Sequence, residues 1–318
     1  MSIDTQTPTA AAEAARIDSR IERLSTASLR RVIEPDVEVA GSVGPGMVVP
    51  RDLLSVAGLD LELSEEQWVR LSREEMASIV DSGVRFESVL LAGFGLMIAS
   101  RRDLTDPRVT YVLHELGEET RHSRLFVRLI EQLSPTARNP FARGLLGRLD
   151  RFVTPRVIRR RALFCVLVLT GEEVPDLLQK RSSEHPDTDP FVREVNKYHR
   201  MEEARHLSFG RMILPELWEE ASPLERFAVR HLVPAMMAGV FDGMVHPGVY
   251  ATVGLPAWPT WNAVRRSPAR RQLRAEALRP VCAALLDAGA FGRRGRLPRA
   301  WRTVCWLDRG GAPLPAAA

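Results

Sequence analysis

The segment 118–122 reads EETRH, and 84 positions later the segment 202–206 reads EEARH, in a chain with only seven histidines. Carboxylate and imidazole are the two side chains that together bind oxidisable transition metals. Their spacing decides whether they can do so as a set. On an α-helix, residues i, i+3, i+4 and i+7 share a face, so Glu119 and His122 lie within about 60° of one another. The same holds for Glu203 and His206. His199 precedes Glu203 by four and His206 by seven, so the second helix projects two imidazoles and one carboxylate in one direction.

A Glu-x-x-His pair from each of two helices, with one glutamate from each of two others, is the ligand set of carboxylate-bridged di-iron bundles. The missing glutamates are sought by spacing. Glu87 lies 32 residues before Glu119 inside FESVLLAGF, and Glu172 lies 31 before Glu203, directly after LFCVLVLTG. The two halves therefore read as a structural repeat, with Glu173 an alternative to Glu172. Burying a carboxylate in apolar surroundings costs several kcal/mol unless a partner offsets it. A metal is such a partner, and four carboxylates balance the charge of a diferrous pair.

The neighbouring residues take lesser roles. Glu118 and Glu202 point about 100° away from the ligand positions, as flanking surface groups or as outer partners of the ligands. Arg121 and Arg205 are expected to pair with them across the site. Glu115 holds in the first half the place of His199 in the second, and is expected outside the ligand set, hydrogen-bonded to a ligand histidine. His114, His185, His231 and His246 are read as structural or surface residues.

Four long helices must position this set. Ser64 and Gln67 form a capping box for a helix over 65–101, with a soft spot at Gly83. Asp106-Pro107 opens a second helix that ends near Ser134-Pro135. A basic connector, ARNPFARGLLGRLDRFVTP, leads to a third over about 156–183. SSEHPDTDP separates it from a fourth over 190–213, which Pro215 ends or kinks. A further helix runs from Ser222-Pro223 toward Met244, HPGVYATVGLPAWPTW is a loop, and a last helix covers about 267–288. Strand-like alternation is short and confined to the first sixty residues, where EPDVEVAGSVGPGMVVP reads as extended, Pro/Gly-punctuated chain. The fold class is all-α, a helical bundle with additional C-terminal helices. Its expected organisation is an unstructured N-terminus over 1–20 and one helical domain over 21–318. Within it the metal-binding bundle spans about 64–215 and a C-terminal extension about 222–305.

Composition sets outer bounds. Apolar residues make up 45% and charged residues 26% of the 318, as in soluble globular proteins. The longest strongly apolar run, ALFCVLVLT at 162–170, is shorter than a membrane span needs. The opening residues lack the basic-then-apolar pattern of a secretory signal, so the expectation is a cytoplasmic protein with no membrane partner. Cys165, Cys282 and Cys305 form no CxxC pair, which excludes a zinc knuckle and a disulfide framework. Residues 261–318 hold twelve arginines against three carboxylates. No nucleic-acid motif accompanies that charge, and the arginines are expected to pair with acidic surface of the chain itself or of a second subunit.

The segments YVLHELGEETRHSRLF, TGEEVPDLLQK and YHRMEEARHLSFGRMIL resemble the p-aminobenzoate N-oxygenase family of di-iron enzymes. The resemblance covers roughly 60–215, and its most specific feature is the His-x3-Glu-x2-His triplet. It implies a ferritin-like fold, often dimeric, with Glu87, Glu119, His122, Glu172, His199, Glu203 and His206 holding two iron ions. It also implies oxidation of an arylamine nitrogen to hydroxylamine, nitroso or nitro, with O2 as co-substrate and a peroxo-diferric species on the way, in secondary metabolism. Electrons then come from outside, from a ferredoxin-type or chemical donor, because the sequence shows no flavin, nicotinamide or Fe–S motif. The alternative is a di-iron hydroxylase or desaturase acting on carbon.

Overall fold

A computed structural model describes residues 10–142, 153–292, 296–309, 311, 312 and 314. Helices α3 (Glu65–Ala99) and α4 (Pro107–Leu133) form one hairpin, and α6 (Arg161–Glu184) and α7 (Pro190–Glu219) form the other. The two hairpins pack face to face through α3 with α6 and α4 with α7. No β-strand is present among the described residues. The first sixty residues hold α1 (Ala10–Arg30), the short α2 (Pro35–Glu38) at the head of EPDVEVAGSVGPGMVVP, and then chain without helix or strand, as read there, ending in a 3-10 turn over Arg51–Leu53.

The long helices begin where cap chemistry dictates. Ser64 and Gln67 form the expected capping box at α3. Asp106 accepts from the amide of Arg108 ahead of α4. Asp189 accepts from the amides of Phe191 and Val192 at α7, with Pro190 in the first turn. These bonds satisfy donors that the first turn of a helix leaves open. At the other end of α4, Ser134 takes a left-handed conformation with φ 49° and stops the helix. Gly83 does not interrupt α3; it makes room for the ring of Phe126.

Several expectations need correction. Half of the segment expected to be unstructured belongs to α1, anchored by the fully buried Ile21 and by Asp18, which accepts from Arg108 of α4 at 2.8 Å. Residues 1–9 lie outside the described set. The third helix begins at 161; a separate short helix, α5, covers 153–158, and 143–152 of the basic connector lie outside the described residues. Pro215 does not end α7, which continues to Glu219. The helix expected over 223–244 divides into α8 (Pro223–His231) and α9 (Val233–Gly243). Pro234 lacks an amide proton, and its ring crowds the preceding turn. The expected loop at 246–261 carries α10 (Pro247–Ala251) and most of α11 (Ala257–Arg266). Helix α12 (Pro268–Asp287) matches its expected span, and α13 (Arg299–Cys305) follows. The tail GGAPLPAAA is mostly outside the described residues.

The C-terminal helices share a core with α6 and α7, where Trp301 of α13 is fully buried. Its indole nitrogen donates to the carbonyl of Val229 at 2.9 Å. Two arginines of the tail, Arg274 and Arg265, reach Asp242, and the tail's Glu276 accepts from Arg181 of α6. By length and composition α3 is long and apolar enough to cross a membrane, unlike the shorter apolar run at 162–170. Here it forms a wall of the bundle, with Glu87, Leu90 and Phe94 buried against the other helices.

Two glycines let the hairpins approach. A Cβ at Gly171 of α6 would stand 1.7 Å from the Phe86 ring of α3, and one at Gly93 of α3 would stand 2.1 Å from the Phe164 ring of α6. Each ring thus lies in a notch on the facing helix. Phe86 and Gly171 immediately precede Glu87 and Glu172, so this contact holds both glutamates at the bundle axis.

Candidate metal centre

All seven residues singled out by spacing are buried and meet between the hairpins. Ligand-type atoms of Glu87, His122, His199 and Glu203 lie within 4.8 Å of one another, as do those of Glu87, Glu119 and Glu172, and those of Glu115, Glu119 and His206. Glu172 rather than Glu173 turns inward. The Glu173 carboxylate faces the other way and pairs with Arg211.

Outer groups fix how the imidazoles are presented. Nε2–H of His206 donates to Glu118 Oε2 at 2.8 Å, and Nε2–H of His122 donates to Glu202 Oε2 at 3.0 Å. Glu118 and Glu202 thus hold the rings by Nε2–H and turn Nδ1 inward, where without metal it donates to Glu203 Oε2 at 3.0 Å in His206 and to Glu119 Oε2 at 3.2 Å in His122. Nδ1–H of His199 donates to Gln179 Oε1 at 2.9 Å, which leaves its Nε2 facing Glu87 and Glu203 at 3.4 and 3.5 Å. The arginines complete the arrangement as expected. Arg205 donates to Glu118 at 2.8 Å, and Arg121 stands 3.5 Å from Glu202. Each pentapeptide therefore lends its first glutamate to the histidine of the other.

Electrostatics divide the inner carboxyls. Burial, then neighbouring Glu119, pushes Glu87 well above the usual carboxylate range; burial, then Glu203, does the same to Glu172. Burial and Glu203 also push Glu119 upward, but hydrogen bonding with Glu87 and the His206 charge outweigh them and bring it to about 2. Glu203 is likewise held low, against its burial, by the surrounding histidines. Burial, then the charge of His122, lowers His199 to about 4. Burial disfavours charge on His122 and His206, yet the facing carboxylates raise both well above the ordinary value. Metal-free, the cluster thus retains protons that a cation would displace.

The donor set fits a pair of metal ions. One oxygen each of Glu87, Glu119, Glu172 and Glu203 is buried without a hydrogen-bond partner. Glu119 Oε1 lies 3.1 Å from Nδ1 of His206, and Glu203 Oε1 lies 3.2 Å from Nδ1 of His122, without hydrogen-bond geometry. Buried polar atoms are otherwise almost always satisfied. Orphaned oxygens beside inward ring nitrogens, whose protons a cation would displace, are what cations between them would satisfy.

A largely apolar cavity reaches this cluster at Glu87, Glu172 and His199, with Phe86 and Phe126 in its walls. Its C-terminal contribution comes from Val240 of α9, Met244 just after it, and Arg270 of α12; residues 246–261 supply none of it. Arg270 is a buried cation in that wall, and its guanidinium lies over the Phe241 ring at 4.1 Å. A second cavity reaches Glu115 and His206 from among Phe94, Phe164 and Phe209.

Some contributors were not found by spacing. Gln179 lies seven residues after Glu172, on the same face of α6, so helical periodicity did carry that signal. Arg270 is one of twelve arginines in the tail, and only the packing of α12 singles it out. Glu115 does not hydrogen-bond a ligand histidine as expected; Glu118 and Glu202 take that place, and Glu115 Oε2 has no partner. Of the other histidines, His246 is buried, and His185 stands 3.5 Å from Asp52.

Comparison with known proteins agrees with this geometry. The sequence model of the family described as P-aminobenzoate N-oxygenase AurF matches residues 15–289. Uncharacterized proteins of Mycobacterium tuberculosis and Mycobacterium bovis are each 28% identical over 189 residues, 58% of this chain and 54% of theirs. The chain thus spans about half the length of these curated relatives. The all-helical architecture is consistent with the ferritin-like bundle of the matched family, and the buried glutamate–histidine cluster fits the di-iron site for which that family is known. With a match across most of its length and those side chains in the bundle core, the chain belongs to the p-aminobenzoate N-oxygenase family.

Proposed function

We propose that the protein is a di-iron N-oxygenase that oxidises the nitrogen of a small amine, an arylamine by preference, using O2 and electrons from an external donor. The observation that carries this reading is the cluster of buried glutamates and histidines, with orphaned oxygens and inward ring nitrogens, at the end of an apolar cavity. Glu87, Glu119, His122, Glu172, His199, Glu203 and His206 would hold two iron ions. Such a pair supplies reductive activation of O2.

The chain's own residues do the rest. Glu118, Glu202 and Gln179 hold the imidazoles in the tautomers that ligate. The Phe86 and Phe126 rings line a largely apolar approach, in which an aromatic substrate would be desolvated before it meets the centre. Glu75 accepts from the amide and hydroxyl of Ser55 at 2.6 Å and offsets the charge of Arg270. The cavity wall thus offers a compensated polar end and an apolar body. The same reading takes the protein as a cytoplasmic homodimer.

Anaerobic loading with ferrous iron, followed by O2 and an arylamine, tests the proposal. N-oxygenated product supports it. A C–O or C=C product with the nitrogen untouched moves the activity to carbon, and no turnover by iron-loaded protein across a panel of amines refutes it.

A further inference from the structure

The two ligand helices carry the same register with one difference. Helix α4 projects Glu115, Glu119 and His122 at i, i+4 and i+7, where α7 projects His199, Glu203 and His206. Exchanging one hairpin for the other maps Glu87 onto Glu172, Glu119 onto Glu203, His122 onto His206, and Glu115 onto His199. The structure keeps that correspondence in space. His199 gathers with Glu87, His122 and Glu203, and Glu115 gathers with Glu119 and His206, each set within 4.8 Å.

We infer that Glu115 is a direct ligand of the second metal ion, the carboxylate counterpart of His199. The inference rests on the di-iron reading above and adds an eighth ligand to it. Glu115 is 1% exposed, and its Oε2 has no hydrogen-bond partner. A buried carboxyl without a donor must either stay protonated or meet a cation. The ring donors nearby are committed. Nε2–H of His206 is taken by Glu118 and Nε2–H of His122 by Glu202, while both Nδ1 atoms face Glu119 and Glu203. A role as orienting partner of a histidine is therefore filled, and the place of Glu115 beside Glu119 and His206, matching that of His199 in its own group, points to the cation.

One consequence is asymmetry. The first group offers two imidazoles and two carboxylates, and the second offers one imidazole among carboxylates. The two irons would differ, with the oxygen-rich one on the side of the second cavity, which Glu115 and His206 line.

The test uses full-length protein loaded anaerobically with ferrous iron, in wild type, Glu115→Gln, Glu115→Ala and Glu115→His. Wild type is expected to bind two irons with two distinguishable Mössbauer doublets. Glu115→Gln and Glu115→Ala are expected to weaken one iron by at least the ~10–100-fold that even outer partners of ligands contribute. They should shift one doublet and leave the other in place. Glu115→His should restore occupancy and make the two doublets more alike. Circular dichroism of the apo variants confirms the fold, and Glu115→Gln preserves side-chain volume. If both uncharged variants bind two irons with wild-type affinity and unchanged doublets, Glu115 is no ligand, while the di-iron reading stands. If wild type itself holds no iron pair, that reading fails and the Glu115 assignment with it.

Discussion

Glu118 and Glu202 touch no inner carboxylate role, yet the structure makes iron affinity depend on them. Glu118 accepts from His206 Nε2 and from Arg205, both at 2.8 Å, while Glu202 accepts from His122 at 3.0 Å and stands 3.5 Å from Arg121. Glu→Gln keeps the shape but removes the charge and turns an NH2 toward either the imidazole or the guanidinium. One charge-assisted bond is lost, and the imidazole is less firmly held with Nδ1 inward. Loss of such an outer partner costs about 10–100-fold in metal affinity, which is about 1.4–2.7 kcal/mol. The shorter bonds place Glu118→Gln toward the larger loss and Glu202→Gln toward the smaller. Anaerobic ferrous titration against a chromophoric chelator measures both. Glu173→Gln serves as control, since that carboxylate faces Arg211 away from the cluster. Wild-type affinity in both variants would refute the orienting role, and a larger loss for Glu202→Gln would refute the ranking.

Three further outcomes follow from the same geometry. Gly171→Ala should lower stability by about 1–3 kcal/mol in chemical denaturation despite alanine's better helix propensity, because its Cβ would collide with Phe86; equal or greater stability would contradict the notch. Glu225, which caps α8 by accepting from Ser222 and also accepts from the Ala162 amide, is held below the usual range by these bonds against its burial. A group with a lowered folded pKa stabilises above its unfolded value of about 4.3. Glu225→Ala should therefore cost on the order of 1 kcal/mol at neutral pH, with the difference vanishing as the pH falls through the folded value; a pH-independent difference would exclude the ionised cap. Iron at a hundredfold excess over its Kd should stabilise the fold by about 2.7 kcal/mol, reversed by a chelator, whereas an unchanged melting temperature would mean that the cluster does not take the metal.

Much of the site was legible in the sequence because its ligands sit on long regular helices. There, spacing converts directly into direction, and cap residues such as Ser64, Asp106 and Asp189 mark where the period starts. Glu172 and Glu173 could not be separated that way, since adjacent residues differ only by rotation about the axis and the neighbours decide which turns inward. Pro215 looked like a terminus, but the helix continues, its packing against α6 outweighing one lost backbone bond. The segment at 246–261 looked like loop because its prolines and glycines hide two short helices, stabilised by burial of Val249 and Tyr250 in α10 and of Val264 in α11 rather than by propensity. Arg270 and the second cavity depend on contacts between segments far apart in sequence, which no local pattern encodes.

The central claim is a pair of metals at one buried cluster, and iron stoichiometry tests it most directly. Protein reconstituted anaerobically with ferrous iron and freed of excess should hold two irons per chain, and a Glu119→Ala/Glu203→Ala double variant with an intact fold should hold none tightly. Wild type with no bound iron, or a double variant that still binds two, would contradict the account.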